Sequence, residues 1–218
     1  MITLSNISKK YKKGDAVFTA LDDVSLEINK GDFCSVIGPS GAGKSTLLNA
    51  IGGLILPDSG TVSFNDKNIY TLDRKELDLY RKKHVGFMFQ QFHLMPYLTV
   101  LENIKLACYE KRHCDKIEFY LDKCSLSEMK DKYPSELSVG EKQRTAFIRA
   151  IISNPDLLLA DEPTGNLDPG NGSILMALVE EYHKNGGTVV VVSHDPIIAK
   201  YATGNIRLEK GRIITHAM

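Results

Sequence analysis

The stretch Gly38-Pro39-Ser40-Gly41-Ala42-Gly43-Lys44-Ser45 matches the pattern G-x-x-x-x-G-K-[ST], and the fold of the chain can be predicted from it. The apolar run Phe33 to Ile37 before it is typical of a strand, and residues 45–54 after it carry leucine and isoleucine at helical spacing. A strand, a glycine-rich turn and a helix in this order let backbone N–H groups converge on a phosphate group. A plain turn between a strand and a helix is the alternative interpretation, and it leaves the Lys-Ser pair unexplained.

The members of this phosphate loop have chemical reasons to be there. A glycine puts no Cβ between the backbone and an anion and adopts positive φ at little cost. The N-terminus of the helix adds unpaired N–H donors and a partial positive charge. The Lys44 amine would contact the β- and γ-phosphates, and the Ser45 hydroxyl would be a ligand of Mg²⁺. The candidate nucleotide-binding residues of the stretch are Gly38, Ser40, Gly41, Gly43, Lys44, Ser45 and Thr46.

The composition of the chain limits its class. Its 218 residues suffice for one large α/β domain, and its 27 basic and 27 acidic residues give no net field that would attract nucleic acid or an anionic membrane. No stretch approaches the roughly 20 apolar residues that cross a bilayer. Residues 1–6 lack the features of a signal peptide. We therefore expect a cytosolic protein without a nucleic-acid partner.

Strand and helix signals divide the chain into a nucleotide-binding core, residues 1–89 and 155–218, and an inserted all-α subdomain, residues 90–154. Residues 2–11 and 24–29 are typical of strands joined by a loop, which predicts an N-terminal antiparallel β subdomain. The whole chain is predicted to be one α/β domain, with a mostly parallel sheet and helices on both faces. Further strands are predicted at 60–64, 84–89, 157–160 and 188–192, helices at 72–83, 98–109, 116–123 and 138–154, and a closing hairpin at 204–215.

Two apolar strands end in residues that can do chemistry. The run Leu157 to Ala160 delivers Asp161 and Glu162 at the edge where open α/β sheets bind ligands. Because adjacent strand residues point to opposite sides, one carboxylate could direct Mg²⁺ while the other acts as the base for water. The run Val189 to Val192 ends near His194, which could donate a hydrogen bond to a γ-phosphate or hold the base in place. Surface acids and a structural histidine are the alternatives.

Two further residues are candidates with weaker local signals. Gln90 follows the predicted strand 84–89 and could order Mg²⁺ or the attacking water. Tyr11 lies among four lysines within residues 9–13, which is typical of a solvated turn. Its ring could instead stack on a nucleotide base.

Longer motifs connect these residues to a known family. Residues 137–144, Leu-Ser-Val-Gly-Glu-Lys-Gln-Arg, resemble the signature motif of the ABC ATPases, usually written LSGGQ-x-QR. Residues 161–168 resemble their Walker B motif and D-loop. With Gln90 as the Q-loop and His194 as the switch, the resemblance covers the chain in the expected order. Residues 89–96, 101–103 and 164–168 resemble the branch that holds the lipoprotein-releasing, macrolide-exporter and cell-division type ATP-binding subunits.

The resemblance implies an ATPase that dimerises head to tail, so that ATP on one phosphate loop is closed by the partner's signature motif. Tyr11 would stack on adenine. Asp161 would hold Mg²⁺ through water, and Glu162 would be the general base. Gln90 would contact the metal and sense the γ-phosphate, and His194 would complete the catalytic set.

The resemblance also implies which residues act on the partner, and here the chain departs from the family pattern. Ser138 and Gly140 would reach the γ-phosphate bound to the other subunit, and Asp168 would couple the two sites. Val139 and Glu141 stand where the family has glycine and glutamine. A β-branched residue resists positive φ, so position 139 is expected in an ordinary backbone conformation. Ser138 and Glu141 also fit a capping box.

The carboxylate of Glu141 would have an electrostatic consequence. At an effective dielectric of about 20, a like charge some 8 Å from a triphosphate costs on the order of 2 kcal/mol before salt screening. We therefore expect a functional dimer that closes more slowly or more weakly than one with glutamine at this position.

The leading hypothesis is an ATP-hydrolysing motor subunit of an ABC transporter, held on the cytoplasmic face of the inner membrane by a separate integral membrane permease. Residues 92–97 are apolar and aromatic, and they are expected either to belong to the helical core or to line a groove for a permease helix. The alternatives are a motor for a non-transporting cell-division type complex, a soluble ABC ATPase without a permease, and a phosphate-loop kinase. The signature stretch argues against the kinase.

Overall fold

Ten strands and seven α-helices lie within the residues that the computed structural model describes, which are 1–14 and 16–217. The strands are β1 (Ile2–Lys13), β2 (Ala16–Ile28), β3 (Phe33–Ile37), β4 (Ser59–Phe64), β5 (Lys67–Asn68), β6 (Val85–Met88), β7 (Leu157–Asp161), β8 (Thr188–Ser193), β9 (Gly204–Glu209) and β10 (Arg212–Ala217). The helices are α1 (Lys44–Ile51), α2 (Arg74–His84), α3 (Val100–Lys105), α4 (Lys111–Cys114), α5 (Ile117–Lys123), α6 (Val139–Ile151) and α7 (Pro169–Lys184).

A six-stranded sheet forms the centre of the fold, with the strand order β10-β9-β3-β8-β7-β6. The five strands from β9 to β6 run parallel, and β10 pairs antiparallel with β9 at one edge. The continuous apolar runs of β7 and β8 suit a parallel sheet that is covered on both faces. The predicted mostly parallel sheet and the predicted closing hairpin are both confirmed.

Helices cover both faces of this sheet, as predicted. Along β8, Val190 and Val192 pack into the core cluster that contains the apolar residues of α1. Val189 and Val191 pack on the other face, in the cluster that contains α6 and α7. This division follows from the strand geometry, because successive side chains point to opposite faces. Across the described part of the chain, helices fall short of the length and apolar character that spanning a bilayer requires.

A second sheet with the order β2-β1-β4-β5 is antiparallel, as expected for the N-terminal part. The predicted loop over residues 12–23 is wrong, because β1 continues to Lys13 and β2 starts at Ala16. The lysine-rich stretch looks like a turn in the sequence, but cross-strand pairs such as Tyr11 with Phe18 hold it extended. Position 15 lies outside the described residues.

The regular elements described between β6 and β7 are all helical. The predicted helix 98–109 is too long, since α3 ends at Lys105 and the short helix α4 follows separately. The predicted helix 138–154 starts one residue early, because Ser138 is the N-cap of α6, and α6 ends at Ile151. The boundaries of residues 90–154 as a subdomain stay a prediction.

Helix α7 received no assignment from the sequence. Asp168 caps its first turn and Pro169 occupies the first helical position, where the missing N–H costs no hydrogen bond. Leu175, Met176 and Val179 bury one face of the helix against the sheet. The two glycines in its first turn have low helix propensity, so the sequence did not indicate a helix there.

Candidate functional site

The phosphate loop joins β3 to α1 at the C-terminal edge of the central sheet. Gly41 and Gly43 have φ values of 78° and 104°, in the left-handed region that glycine adopts readily. Gly43 is also the N-cap of α1, and no side chain caps this end of the helix. The first N–H groups of α1 therefore face the loop without side-chain partners, which is the geometry of an anion site.

Close packing also requires two of the loop glycines. A Cβ at Gly38 would lie 2.1 Å from the carbonyl oxygen of Leu208, and a Cβ at Gly43 would lie 2.1 Å from that of Ala20. Gly38 does not have positive φ. Glycine is required at this position because β9 approaches closely, and not because the backbone needs glycine's conformational freedom. The loop is thus held between β9 and β2.

Lys44 is buried inside the loop, with 6% of its surface exposed. Its Nζ donates hydrogen bonds to the carbonyl oxygens of Gly38 at 2.8 Å and Pro39 at 3.1 Å, and it lies 3.7 Å from Oε1 of Glu162. A buried ammonium group is tolerated only where it is hydrogen-bonded or paired with an opposite charge. The contacts hold the cation between the loop and the predicted base.

Asp161 ends β7 with a carboxylate that fits a hydrated divalent cation. Its Oδ1 is buried without a hydrogen-bond partner among the described residues. Burial raises the pKa of Asp161, and a hydrogen bond with the Ser45 hydroxyl opposes that shift in part. A buried carboxylate oxygen that lacks a donor, next to a hydroxyl, is an oxygen donor set of the kind Mg²⁺ prefers.

Glu162 is fixed more tightly than the sequence indicates. Its backbone leaves the strand with a φ of 47°, an unfavourable conformation for a residue with a Cβ. Its Oε2 accepts hydrogen bonds from the Ser193 hydroxyl at 3.0 Å and the His194 backbone N–H at 3.3 Å, and it lies 2.9 Å from His194 Nδ1. His194 was expected either to donate to a γ-phosphate or to hold the base in place, and this contact corresponds to the second role. The expected opposite orientation of successive strand side chains does not apply, since Glu162 lies outside β7.

Gln90 lies just beyond β6, at the same edge of the sheet. Its side chain is exposed, and its carbonyl oxygen is 3.4 Å from Nδ2 of Asn166. The next residues are strained, with φ values of 58° at Phe92 and 47° at His93. The guanidinium of Arg149 donates to the carbonyl oxygens of both, at 2.5 and 2.6 Å. The contact of Gln90 with metal and γ-phosphate stays a prediction.

Tyr11 stands next to the phosphate loop with a second aromatic ring that the sequence analysis missed. Phe18 is its cross-strand partner, and both rings line a cavity of about 170 Å³ together with residues 41–46. Tyr11 is 38% exposed and Phe18 is 53% exposed, so flat aromatic surface is available to a ligand. The position of Phe18 opposite Tyr11 depends on the register of the long hairpin, which the sequence analysis did not predict.

The signature stretch starts helix α6 as a capping box. The Ser138 N–H and hydroxyl both donate to Oε2 of Glu141 at 2.7 Å, and these hydrogen bonds lower the pKa of the Glu141 carboxyl. Val139 begins the helix without positive φ, as expected. Ser138 and Val139 are exposed, whereas Gly140 is buried. The Ser138 hydroxyl therefore already has a carboxylate acceptor in its own subunit.

Asp168 lies at the exposed N-terminus of α7. Its Oδ1 accepts the backbone N–H of Asn171 at 3.0 Å as a helix cap. Ser193 is a second site residue that the sequence analysis missed. Its position at the end of β8, directly before His194, is the signal that could have found it.

A scan of protein families matches residues 21–165 to the family described as ABC transporter. The chain is 40% identical over 223 residues to the uncharacterised ABC transporter ATP-binding protein MJ0796 of Methanocaldococcus jannaschii, which covers 98% of this chain and 95% of that protein. It is 38% identical over 220 residues to the macrolide export ATP-binding/permease protein MacB of Salmonella typhimurium. That match covers 98% of this chain and 34% of MacB, so the chain corresponds to about a third of the larger protein.

Solved structures agree with the family match. The dimeric structure of MJ0796, described as a bacterial ABC transporter cassette, superposes with a TM-score of 0.92 at 38% identity and covers 99% of this chain and 97% of that one. A dimeric structure of a post-hydrolysis state of MJ0796, bound to ADP and Pi, gives the same values. The chain belongs to the family of ABC transporter ATP-binding proteins, whose members bind and hydrolyse ATP.

Proposed function

We propose that two copies of this chain close around two ATP molecules, and that hydrolysis drives a separate membrane permease. Family membership makes the chain an ATP-hydrolysing motor subunit of the ABC transporter type. The observation that carries the dimeric mechanism is the position of Glu162 Oε1, 3.7 Å from Lys44 Nζ, while Ser138 is exposed at the tip of α6. A subunit thus has a base beside its own phosphate loop and an exposed helix tip for a partner.

In the proposed mechanism, the residues of one subunit bind and orient the triphosphate. The loop N–H groups and Lys44 hold the β- and γ-phosphates and stabilise the charge that develops there. Asp161, Ser45 and Gln90 would hold Mg²⁺, which supplies charge neutralisation at the phosphate oxygens. Glu162 takes the proton from the water that attacks the γ-phosphate in line, and Ser193 and His194 keep its carboxylate oriented.

The partner subunit completes the site in this proposal. Ser138 and Gly140 approach the γ-phosphate bound to the other copy, and the start of α6 adds N–H groups with a partial positive charge. Asp168, exposed at the start of α7, lies on the same face and couples the two sites. The support is the likeness to the dimeric MJ0796 cassette.

A groove beside the residues that follow Gln90 suits the proposed permease contact. Its volume is about 470 Å³, and much of its wall is apolar. Of the stretch 92–97, His93 and Met95 line the groove, and neither is buried. Met95 and Tyr97 are 38% and 72% exposed, so they are not core residues of the helical region. Phe89 and His93 lie on either side of Gln90 in the chain and both line the groove, so a change sensed at Gln90 would move the wall of the groove.

Two measurements test this proposal. The purified chain should hydrolyse ATP without a phosphate acceptor other than water, and Glu162→Gln should abolish turnover while ATP binding remains. In vesicles that contain the permease co-purified with the chain, Met95→Ala should uncouple transport from hydrolysis without lowering basal ATPase activity. Phe119→Ala, an exposed aromatic residue outside the groove, is the matched control. Unchanged coupling in Met95→Ala would contradict the groove assignment.

A further inference from the structure

Arg144 connects helix α6 to two other parts of the fold. Its Nε donates to the carbonyl oxygen of Cys124 at 2.9 Å, and its Nη1 donates to Oδ1 of Asn171 at 3.0 Å. Cys124 follows α5, and Asn171 lies in the first turn of α7. The guanidinium therefore joins α6, the helix that begins in the signature stretch, to the first turn of α7.

Asn171 uses both ends of its side-chain amide in this network. Its Oδ1 accepts from Arg144, while its Nδ2 donates to Oδ2 of Asp168 at 2.6 Å. Its backbone N–H donates to Oδ1 of Asp168 at 3.0 Å. These bonds from Asn171 lower the pKa of Asp168. A neutral amide offers an acceptor and a donor at once, which neither a carboxylate nor an alkyl side chain can do.

Gly140 shows how closely the two helices approach at this point. A Cβ at Gly140 would lie 2.6 Å from Oδ1 of Asn171 and 3.3 Å from Nη1 of Arg144. Such distances leave no room for a methyl group unless Asn171 moves. Glycine is thus required at position 140 by a contact within its own subunit, because α6 packs closely against the Asn171 side chain.

We propose that Asn171 is a positioning residue that fixes the tip of α6 relative to Asp168, so that one subunit presents its signature stretch and its D-loop to the partner as a single rigid unit. This inference rests on the proposed head-to-tail dimer. The link joins the two segments expected to act on the partner's nucleotide, and it lies apart from the phosphate loop that binds the subunit's own ATP.

The link is separable from the folding of α7. Leu175, Met176 and Val179 bury that helix against the sheet, while Asn171 is only half-buried. Asp168 would still cap the helix through the backbone N–H of residue 171 in a variant. Asn171→Asp puts a second carboxylate beside Oδ2 of Asp168, so repulsion breaks the link, while an aspartate at this third helical position is favourable for the helix N-terminus itself.

The test uses the Glu162→Gln chain, in which the ATP-bound dimer should persist. Asn171→Ala and Asn171→Asp are added to it, and the dissociation constant of the dimer is measured by sedimentation with ATP and Mg²⁺. Asn171→Ala is expected to weaken the dimer about tenfold, as loss of one or two hydrogen bonds predicts, and Asn171→Asp at least as much, because it also adds a negative charge. The affinity of the monomer for a fluorescent ATP analogue should stay within about twofold of the parent value, because the phosphate loop is unchanged. Ser173→Ala is the control, since its hydroxyl donates within α7 to the carbonyl of Pro169.

The outcomes separate this inference from the proposed function. A parent that fails to dimerise would refute the proposed function itself. A parent that dimerises while Asn171→Ala and Asn171→Asp dimerise equally well would overturn only the role of Asn171. Asn171→Asp keeps the acceptor for Arg144 and loses the donor to Asp168, so normal dimerisation in that variant alone would also refute the link to Asp168. In a double-mutant cycle, the effects of Arg144→Ala and Asn171→Ala on the dimer should be less than additive, because the two changes remove one shared hydrogen bond, and full additivity would contradict the network.

Discussion

His194 Nδ1 lies 2.9 Å from Oε2 of Glu162, and this oxygen also accepts the Ser193 hydroxyl and the His194 backbone N–H. Three donors therefore converge on one carboxylate oxygen, while the other oxygen lies 3.7 Å from the Lys44 amine. A carboxylate held in this way has one orientation before substrate binds. Preorganisation of this kind lowers the cost of reaching the transition state.

Ser193→Ala should lower the turnover of ATP about tenfold and leave its KM nearly unchanged, because it removes an orienting hydrogen bond and no phosphate contact. Steady-state kinetics of the purified chain measure this. Ser35→Ala is the matched control, since Ser35 is a buried strand serine on β3 whose hydroxyl donates to Asn205. Equal turnover in Ser193→Ala and the parent would show that the hydroxyl does not position the base.

Glu141→Gln should tighten the ATP-bound dimer by up to about tenfold at low salt, because it removes a negative charge from the helix tip that we propose faces the partner's triphosphate. The gain should shrink at high salt, since exposed charges are screened. Sedimentation at two ionic strengths measures both effects. Glu136→Gln is a suitable control, because Glu136 also accepts the backbone N–H of the residue three positions before it, Tyr133, and lies outside the signature stretch. If Glu141→Gln left both ATP affinity and dimerisation unchanged, the electrostatic argument would be wrong.

Phe18→Ala should weaken ATP binding at least about fivefold, because base stacking on an aromatic ring is worth roughly 1–3 kcal/mol. Binding of inorganic tripolyphosphate should not change, since it has no base to stack. Equilibrium binding of the two ligands separates the effects. Val17, the exposed neighbour in β2, does not line the cavity that Phe18 lines, so Val17→Ala should bind ATP like the parent. A parallel loss of tripolyphosphate binding in Phe18→Ala would contradict the stacking role.

The stability of the chain should fall as the pH rises above about 9. Burial raises the pKa of the Cys34 thiol and of the Cys124 thiol to about 12, from an ordinary value of 9.0. The unfolded chain loses these protons first, so between pH 9 and 12 the folded chain binds more protons and its free energy of unfolding decreases.

The slope is up to about 1.4 kcal/mol per pH unit for each thiol. Replacing both cysteines with alanine should reduce this slope between pH 9 and 10, whereas buried tyrosines such as Tyr80, whose pKa burial also raises, contribute a slope of their own above pH 10. The slopes of the two proteins between pH 7 and 8 should match. Urea unfolding across this range measures it. An unchanged slope between pH 9 and 10 in the double variant would assign the effect to other groups, such as the Cys108 thiol, whose pKa burial also raises.

The chemistry of the site was predictable where a local motif carries it. Residue types and their spacing predicted the phosphate loop, β3 and the carboxylates at the end of β7, because few other structures have the same local pattern. The exclusion of positive φ at Val139 was also predictable, because β-branching is a property of that residue alone. The capping box at Ser138 rests on a spacing of three residues that the sequence displays directly.

What the sequence could not predict depends on distant contacts. The extension of β1 and β2 through a lysine-rich stretch requires the register that pairs Tyr11 with Phe18. The left-handed backbone of Glu162 and its Ser193 contact depend on how β7 and β8 meet at the sheet edge. The Arg144–Asn171 bond joins residues 27 positions apart.

The most direct test is the association state of the Glu162→Gln chain with ATP and Mg²⁺, measured by sedimentation over a range of protein concentrations. We predict a dimer with two ATP molecules that dissociates when ATP is removed or when Lys44 is replaced with alanine. A chain that binds ATP yet stays monomeric at every concentration, alone and with the proposed permease, would contradict the proposed dimer.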